Sequence, residues 1–148
     1  MELRQATSAD TDRIREIARC AYDKYVARIG REPAPMIADF AAHISRNEVI
    51  VAVSGGVVCG YIVSFARADD YFVENVAVDP AAAGGGIGRA LMSHAENAAN
   101  EQDRNLVRLY TNVKMHENFS FYEALGYRKT QQVTENGFHR VYFEKALD

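Results

Sequence analysis

The sequence predicts an α/β (α+β) fold with a mixed, mostly antiparallel sheet of about seven strands, in the order β-α-α-β-β-β-α-β-α-β-β. Three observations support this prediction. Stretches with helical spacing of apolar residues alternate with short apolar strands, a loop with four glycines separates a strand from a helix near the middle, and an Asn-Gly pair joins the last two strands. The 148 residues, 48% of them hydrophobic, suffice for one domain with its own core. We therefore expect a single domain over residues 1–148.

The first 46 residues predict one strand and two helices. A short strand covers residues 3–6, and Ser8 or Asp10 then caps a helix that ends at the C-cap glycine Gly30. A second helix is expected from about residue 36 to residue 46. The apolar positions of the first helix recur at intervals of three and four and trace one face: Ile14, Ile17, Ala18, Ala21, Tyr22, Tyr25, Val26 and Ile29.

The remaining segments complete the sheet. Strands at residues 49–53 and 57–65 form a hairpin around a Ser-Gly-Gly turn, and a third strand follows at 72–78. After the glycine loop, a helix from about 88 to 101, a strand at 106–111 and a short helix near 117–125 are predicted. Strands around 127–133 and 138–146, joined at Asn136-Gly137, form the last hairpin.

The glycine loop is the most informative segment of the chain. Residues 75–91 read Asn-Val-Ala-Val-Asp-Pro-Ala-Ala-Ala-Gly-Gly-Gly-Ile-Gly-Arg-Ala-Leu. Glycines let the backbone turn sharply and bring its N–H groups close to an anion. The first N–H groups of the following helix lack intrahelical acceptors, and the helix dipole places about half a positive charge there. The segment therefore predicts a binding site for a pyrophosphate.

The spacing of the loop excludes two familiar nucleotide motifs. A P-loop requires Gly-Lys-Ser/Thr at the start of the helix, whereas this chain has Gly88-Arg89-Ala90. A dinucleotide fingerprint requires Gly-x-Gly-x-x-Gly, but Leu91 stands at the third glycine position when counting starts from Gly86. A plain glycine turn that caps a helix is the remaining alternative to a ligand site.

The loop resembles the acetyl-CoA loop of the GNAT superfamily of N-acetyltransferases, in a bacterial branch of unassigned substrate. The match consists of Val78, Pro80, Gly84, Gly86, Ile87, Gly88, Arg89, Ala90 and Leu91. A second segment, residues 118–127, resembles the Phe-Tyr-x-x-x-Gly-Phe signature of the same family, with Tyr127 in the last position. The order of elements also matches this family over nearly the full length. The resemblance implies helices on both faces of the sheet.

The resemblance implies acetyl-CoA as cofactor and assigns residues to it. The pantetheine arm is expected to lie along the backbone of Val76, Ala77 and Val78. Where Ala83 stands, the family usually has Gln or Arg, so one contact to the pyrophosphate is lost. The loop positions expected to contact the cofactor are Ala83, Gly84, Gly85, Gly86, Ile87, Gly88 and Arg89.

Two residues are candidates for acid and base chemistry. In the family motif Tyr122 corresponds to the general acid that protonates the leaving thiolate, and a phenol is protonated at neutral pH. A core aromatic is the alternative for this side chain. Glu74, on the strand before the loop and on the same face as Val76 and Val78, is the candidate general base. Its alternatives are a solvent-facing carboxylate or a partner of an arginine, and His116 and His139 are substitute bases.

Further candidates follow from the resemblance. Asn112 and Asn118 replace the family's cofactor-contacting Asn, whose usual position is Met115 here, or they cap the helix that follows. The acceptor substrate is expected near residues 28–36 and the last hairpin. Tyr22, Tyr25, Arg28 and Ile29 are therefore candidate substrate contacts, although the spacing of the two tyrosines is also that of core positions.

Composition excludes several classes of partner. A net charge of −3 and an isoelectric point near 5.8 argue against nucleic acid and anionic membranes. No apolar stretch approaches the roughly 18 residues of a membrane span, and no leader is apparent, so we expect a cytoplasmic protein. Neither the two cysteines nor the four histidines have metal-ligand spacing, so no metal is expected.

These observations lead to one functional hypothesis and one rival. The hypothesis is an acyltransferase that moves an acetyl group from acetyl-CoA to a primary amine of a small molecule or peptide, by direct attack in a ternary complex. The rival is an acyl-CoA sensor or inactive relative that keeps the loop but has no turnover. Ala83 and Met115, which depart from the family pattern, favour this rival. Pairing into a homodimer through the last strands is a further expectation from the resemblance.

Overall fold

The computed structural model describes residues 1–148, and its helices and strands follow the predicted order. The helices are α1 (Thr11–Ile29), α2 (Phe40–Ser45), α3 (Ile87–Glu101) and α4 (Glu117–Ala124). The strands are β1 (Glu2–Gln5), β2 (Val49–Ser54), β3 (Val57–Ala66), β4 (Tyr71–Val78), β5 (Leu106–Asn112), β6 (Arg128–Glu135) and β7 (Phe138–Ala146). The seven strands form one sheet in the order β1-β2-β3-β4-β5-β7-β6, mostly antiparallel, with β4 and β5 parallel. The predicted fold class is confirmed.

Two local predictions were wrong. The helix expected at residues 36–46 is split into a 3-10 turn, Ala34–Ile37, and α2, because Ala38 is extended and the Asp39 side chain accepts a hydrogen bond from the N–H of Ala42 at 3.1 Å. Asp10 stands at the N-cap position of α1 but does not cap that helix. Its carboxylate instead accepts from the N–H of Thr7 and pairs with Arg4, which closes the preceding 3-10 turn.

One compact unit consists of residues 1–64 and 74–94. In it β1 and β2 are antiparallel, as are β2 and β3. Gly30 ends α1 in the left-handed conformation, as predicted. The phenol of Tyr61 is buried, packs edge-on against Phe40 and donates a hydrogen bond to Oδ1 of Asn75 at 3.0 Å. Its fully buried side chains include Ile14, Ile17, Phe40, Val49, Val51, Tyr61, Ile62 and Leu91.

The second compact unit consists of residues 65–73 and 95–148. Here β7 pairs antiparallel with both β5 and β6, and the first residues of β4 pair in parallel with β5. The β6–β7 hairpin turns at Asn136 and Gly137, which both have positive φ, as the Asn-Gly pair predicted. Its buried side chains include Ala95, Ala99, Val107, Leu109, Met115, Tyr127, Val141 and Phe143. None of the four helices in the chain is both long and apolar enough to cross a membrane.

Candidate active site

The glycine loop presents an uninterrupted row of backbone donors. Between Gly84 and Arg89, no N–H group donates a hydrogen bond within the protein. The first intrahelical bond of α3 is made by the N–H of Ala90, which donates to the carbonyl of Gly86 at 3.0 Å. Residues 83–86 are exposed. Six consecutive donors at the positive end of a 15-residue helix are suited to an anionic group with several oxygens, such as a diphosphate.

Two glycines give this row its shape. Gly84 and Gly86 have φ values of +89° and +79°, and a Cβ atom at either position would point into open space. Backbone conformation, rather than lack of room, is therefore the reason for glycine at these two positions. The alternation of left-handed and ordinary residues turns neighbouring N–H groups toward one side, as in anion-binding nests.

The start of the loop is anchored by Asp79. Its Oδ1 accepts from the N–H of Ala81 at 3.0 Å, which caps the 3-10 turn Pro80–Ala82, and its Oδ2 lies 2.6 Å from Nη2 of Arg13. Arg13 also donates from Nε to the carbonyl of Val58 at 2.9 Å. The hydrogen bond from Arg13 is the main cause that lowers the pKa of Asp79. An arginine of α1 therefore ties the loop to the end of β4 and to β3.

Gly60 on β3 sets where α3 begins. A Cβ at this position would lie 3.0 Å from Cγ2 of Ile87, 3.2 Å from the carbonyl oxygen of Ala77 and 3.4 Å from Cδ1 of Leu91. Because there is no side chain on Gly60, the first turn of α3 packs directly on the backbone of β3. This close approach fixes the height of the helix N-terminus above the sheet.

The end of β4 has two faces with different exposure. Glu74, Val76 and Val78 are half-buried on one face, as the predicted alternation requires, whereas Asn75 and Ala77 are buried on the other. These residues and the loop belong to the same compact unit. The structure therefore places Glu74 on the face and strand that the sequence predicted.

The two tyrosines proposed as substrate contacts are buried side chains of α1. Tyr22 donates from its hydroxyl to the carbonyl of Val76 at 2.7 Å, and Tyr25 is covered by the guanidinium of Arg28 at 5.0 Å. Only 7% of Tyr22 and 3% of Tyr25 are accessible. Their burial favours the core alternative, and Ile29, at the last turn of α1, is half-buried.

A histidine that the sequence did not single out lies beside Glu74. Nε2 of His43 is 2.8 Å from Oε2 of Glu74, and its Nδ1 is 2.8 Å from Oε1 of Glu48. Oε2 of Glu74 is itself buried, and apart from this contact with the imidazole it has no hydrogen-bond partner. His43 stands three residues after the buried Phe40 on α2, and this helical spacing was the available signal.

The remaining candidates lie in the second unit. Tyr122 is buried in α4, with its ring against Phe121, Tyr127 and Phe143 at centroid distances of 5.2 to 6.2 Å. Asn112 accepts from the N–H of Lys114 at 2.9 Å, which shapes the turn between β5 and α4. Asn112 does not cap α4, however, because the N-cap position of that helix is His116 and no side chain caps it.

Asn118 and Tyr127 have partners within the same unit. The amide of Asn118 reaches the hydroxyl of Thr111 at 3.5 Å. Tyr127 donates to Glu96 at 2.9 Å, and Glu96 also binds Lys145 at 3.0 Å. Burial, followed by the charge of Glu96, raises the pKa of Tyr127. Tyr127, which ends the second sequence signature, is therefore a hydrogen-bonded core residue.

Comparisons with known proteins agree with this architecture. PaiA N-acetyltransferase from Thermoplasma acidophilum, solved with coenzyme A, has a TM-score of 0.83 at 20% identity over 98% of each chain. YncA from Salmonella typhimurium, solved with acetyl-CoA, has a TM-score of 0.71 at 24% identity over 100% of this chain and 94% of its own. Ard1 from Thermoplasma volcanium has a TM-score of 0.76 at 20% identity over 99% and 97%. At these identities the likeness establishes the fold.

Sequence comparison identifies the family. No curated protein matches this chain by sequence. The profile of the acetyltransferase (GNAT) domain matches residues 45–129, which is more than half of the chain and includes β2 to β5, the glycine loop, α3 and α4. The protein therefore belongs to the GNAT family of acetyltransferases.

Proposed function

We propose that this protein is an acetyl-CoA-dependent N-acetyltransferase that acts on a primary amine of a small molecule or peptide. The observation that carries the proposal is the row of six unpartnered N–H groups from Gly84 to Arg89. Such a row fits the diphosphate of coenzyme A, and the solved structures of PaiA and YncA contain coenzyme A and acetyl-CoA. Family membership and the donor geometry thus support the same ligand.

The backbone donors compensate for a missing side chain. Ala83, exposed in the loop, cannot contact a phosphate as Gln or Arg would. One charge-assisted hydrogen bond contributes about 1.5–3 kcal/mol, whereas six main-chain donors remain. We therefore expect weaker cofactor binding than in relatives with a basic residue here, but the same ligand.

Three parts of the chain have chemical roles in this proposal. Acetyl-CoA supplies an acyl thioester, which an uncharged amine can attack directly. The backbone of Val76–Val78 orients the pantetheine arm and polarises the thioester carbonyl. Glu74 removes a proton from the acceptor ammonium, and the phenol of Tyr122 donates a proton to the departing thiolate. The half-buried face of β4 on which Glu74 lies supports its assignment.

Cofactor binding and turnover are tested separately. We expect heat on titration of the purified protein with coenzyme A, and release of free thiol from acetyl-CoA when a panel of amines is added. Coenzyme A binding without thiol release for any amine would favour the rival, an acyl-CoA sensor. Absence of heat with coenzyme A would overturn both the acetyltransferase proposal and the sensor alternative.

The role of Tyr122 has its own test. Tyr122→Phe keeps the ring that packs against Phe143 and removes only the hydroxyl. A general acid contributes typically 10²- to 10⁴-fold, so we expect kcat to fall by about a hundredfold while the affinity for coenzyme A and the melting temperature stay unchanged. A purely structural tyrosine would give the opposite pattern, with lower stability and unchanged turnover per folded molecule.

A further inference from the structure

The side chain of Asn75 joins β4 to three other parts of the first compact unit. Only 4% of Asn75 is exposed, and both of its polar atoms have partners. Oδ1 accepts a hydrogen bond from the hydroxyl of Tyr61 on β3 at 3.0 Å, and the hydroxyl of Tyr22 on α1 lies 3.4 Å from it. Nδ2 donates to the carbonyl of Pro35 at 3.2 Å, in the connector between α1 and α2. Because a carbonyl only accepts hydrogen bonds, these partners fix the orientation of the amide.

The carbonyl of Pro35 belongs to an apolar 3-10 turn. The turn, Ala34–Ile37, follows the buried Pro33, and the five residues read Pro-Ala-Pro-Met-Ile, without a polar side chain. Met36 is half-buried, whereas 61% of Ile37 is exposed. The backbone adds few hydrogen-bonding groups, because the two prolines have no N–H and the N–H of Met36 donates to the carbonyl of Pro33 at 2.9 Å. The turn therefore presents an apolar surface with few groups that could bind a polar ligand.

This turn lies beside the residues proposed for the chemistry. Asn75, which binds it, stands between Glu74, the candidate base, and Val76, where the backbone segment proposed to orient the pantetheine arm begins. The carboxylate of Glu74 lies at α2, with Oε2 2.8 Å from Nε2 of His43, and the turn leads into the same helix. An acceptor nitrogen that loses its proton to Glu74 and attacks a thioester held at Val76 is therefore next to the turn.

We propose that Asn75 is a positioning residue that holds the Ala34–Ile37 turn beside Glu74, and that the acceptor is a primary amine with an apolar chain or ring that packs on this turn. This inference rests on the proposed function. The ammonium group of such an amine is attracted by the carboxylate of Glu74, whose side chain is 33% exposed. Its apolar part covers Met36 and Ile37, which removes apolar surface of both molecules from water.

The chemistry of the turn determines which amines are selected. Each additional methylene group that packs on an apolar surface strengthens binding about fourfold. A hydroxyl or a second charged group at the same place loses its contacts with water and finds few partners on the turn. We therefore expect alkyl and aryl amines to be better acceptors than amino alcohols, polyamines or amino acids.

The small size of the apolar surface favours a small ligand over a second copy of the chain. The exposed large apolar side chains are those of Met1, Ile37 and Val57, and they belong to three separate segments. A stable interface between proteins covers about 800 Å² on each partner, far more than a turn of four residues offers. An alkyl chain or a single ring, in contrast, matches this area.

Two exposed apolar residues provide the test of the surface. Ile37→Asn removes the apolar group from the turn, and Val57→Asn, at a residue that is 55% exposed at the start of β3, is the control. Steady-state kinetics with acetyl-CoA compare hexylamine with ethanolamine. We expect the unmodified protein to have the lower KM for hexylamine, and Ile37→Asn to raise that KM about fourfold, with the KM for ethanolamine and the heat of coenzyme A binding unchanged.

The control variant and the second amine decide the outcome. Val57→Asn should leave both KM values and the heat of coenzyme A binding unchanged. A lower KM for ethanolamine than for hexylamine in the unmodified protein, or equal changes for both amines in Ile37→Asn, would overturn the inference. If sedimentation shows that Ile37→Asn converts a dimer into a monomer, the turn is an interface between copies, and the inference is overturned as well.

Asn75→Leu tests the positioning role, and Tyr61→Phe is its control. Leucine has nearly the same size but cannot donate to the carbonyl of Pro35, whereas Tyr61→Phe removes a hydrogen bond to Oδ1 of Asn75 and leaves that donor in place. Both variants should lower the melting temperature, because each removes a buried hydrogen bond. Only Asn75→Leu should raise the KM for hexylamine, by about tenfold, with kcat at saturating amine and the heat of coenzyme A binding unchanged.

The two variants separate positioning from support of the fold. Equal KM values for hexylamine in Asn75→Leu and Tyr61→Phe would show that Asn75 acts only on stability. If Asn75→Leu does not fold, Asn75→Ser, which also lacks the donor to Pro35, is compared with Tyr61→Phe in the same way.

A binding measurement does not depend on turnover. The methyl signals of Met36 and Ile37 are followed by NMR in the presence of coenzyme A while 2-phenylethylamine or ethanolamine is added. We expect saturable shifts of both signals with 2-phenylethylamine, whose ring lies against them, and none with ethanolamine. Unshifted signals would overturn the inference even if thiol is released from acetyl-CoA with other amines. Missing heat with coenzyme A would overturn the proposed function, and the methyl shifts would then decide by themselves whether the turn binds an apolar amine.

Discussion

Two glycine turns in the same compact unit share residues with positive φ but have different prospects for function. Gly55 and Gly56, between β2 and β3, and Gly84 and Gly86, before α3, all have positive φ and open space where a Cβ would be. The first pair joins strands that pair with each other directly, through Ser54 and Val57. The second pair leads into a helix whose first N–H groups have no acceptor. The following element, rather than the glycines, determines whether such a turn can hold an anion.

One substitution in each turn tests this comparison most directly. Gly56 and Gly86 both have φ of +79°, and no atom lies within 4 Å of the position that a Cβ would take, so alanine strains both equally. Each variant should lose about 1–2 kcal/mol of stability. Only Gly86→Ala should also weaken coenzyme A binding, by about 10- to 30-fold, because the strained turn misdirects the donors. Urea unfolding and calorimetry measure the two effects, and equal affinities in both variants would contradict the anion site.

The packing of the first turn of α3 on β3 offers a second test. Gly60→Ala places a methyl group 3.0 Å from Cγ2 of Ile87 and 3.2 Å from the carbonyl oxygen of Ala77. Overpacking of this kind costs about 1–3 kcal/mol, and it should lift the helix N-terminus away from β3 and weaken coenzyme A binding severalfold. Thermal unfolding and calorimetry measure both effects.

A double variant checks whether the clash with Ile87 causes the loss of coenzyme A affinity in Gly60→Ala. Ile87→Ala removes the Cγ2 atom and should restore part of the lost affinity in the Gly60→Ala background, although the contact with the carbonyl of Ala77 remains. Purely additive effects of the two substitutions would show that the methyl clash does not set the position of the loop.

The sequence predicted the fold well where local signals act over a few residues. Gly30, the Asn136-Gly137 turn and the period-three-to-four apolar positions of α1 determine local geometry by themselves. The region at residues 34–46 was predicted less well. There Asp39 ends one turn and begins another through its own side chain, and a smooth helical pattern does not reveal such competition.

The site was predictable only in part, for a related reason. The glycine loop and Glu74 are contained in short contiguous segments, so their pattern is visible in the sequence. Arg13, Gly60 and His43 depend on contacts between residues far apart in the chain, 66 positions in the pair of Arg13 with Asp79, which no local spacing encodes. A surface arginine, a strand glycine and a helical histidine are each common in structural roles, so their meaning emerges from the tertiary contacts.

The glycine loop also differs from the Gly55-Gly56 turn because an ion pair, Arg13 with Asp79, anchors it. Removing this pair is expected to have the smallest effect. Arg13 lowers the pKa of Asp79, so the pair stabilises the fold above the pKa of an unfolded Asp, about 3.9, and the contribution is lost as pH falls through the lower folded-state value. Arg13→Gln should therefore cost about 1 kcal/mol at pH 7, limited by partial solvent exposure, and less below about pH 4. Arg15→Gln, which removes an exposed pair with Asp12 at 3.8 Å, is the control and should change stability by no more than a few tenths of a kcal/mol. Urea unfolding at pH 7, 5 and 3.5 measures the difference. A gap between the unmodified protein and Arg13→Gln that does not narrow in acid would mean that the arginine acts through its bond to the carbonyl of Val58 rather than through its carboxylate partners, Asp79 and Glu16.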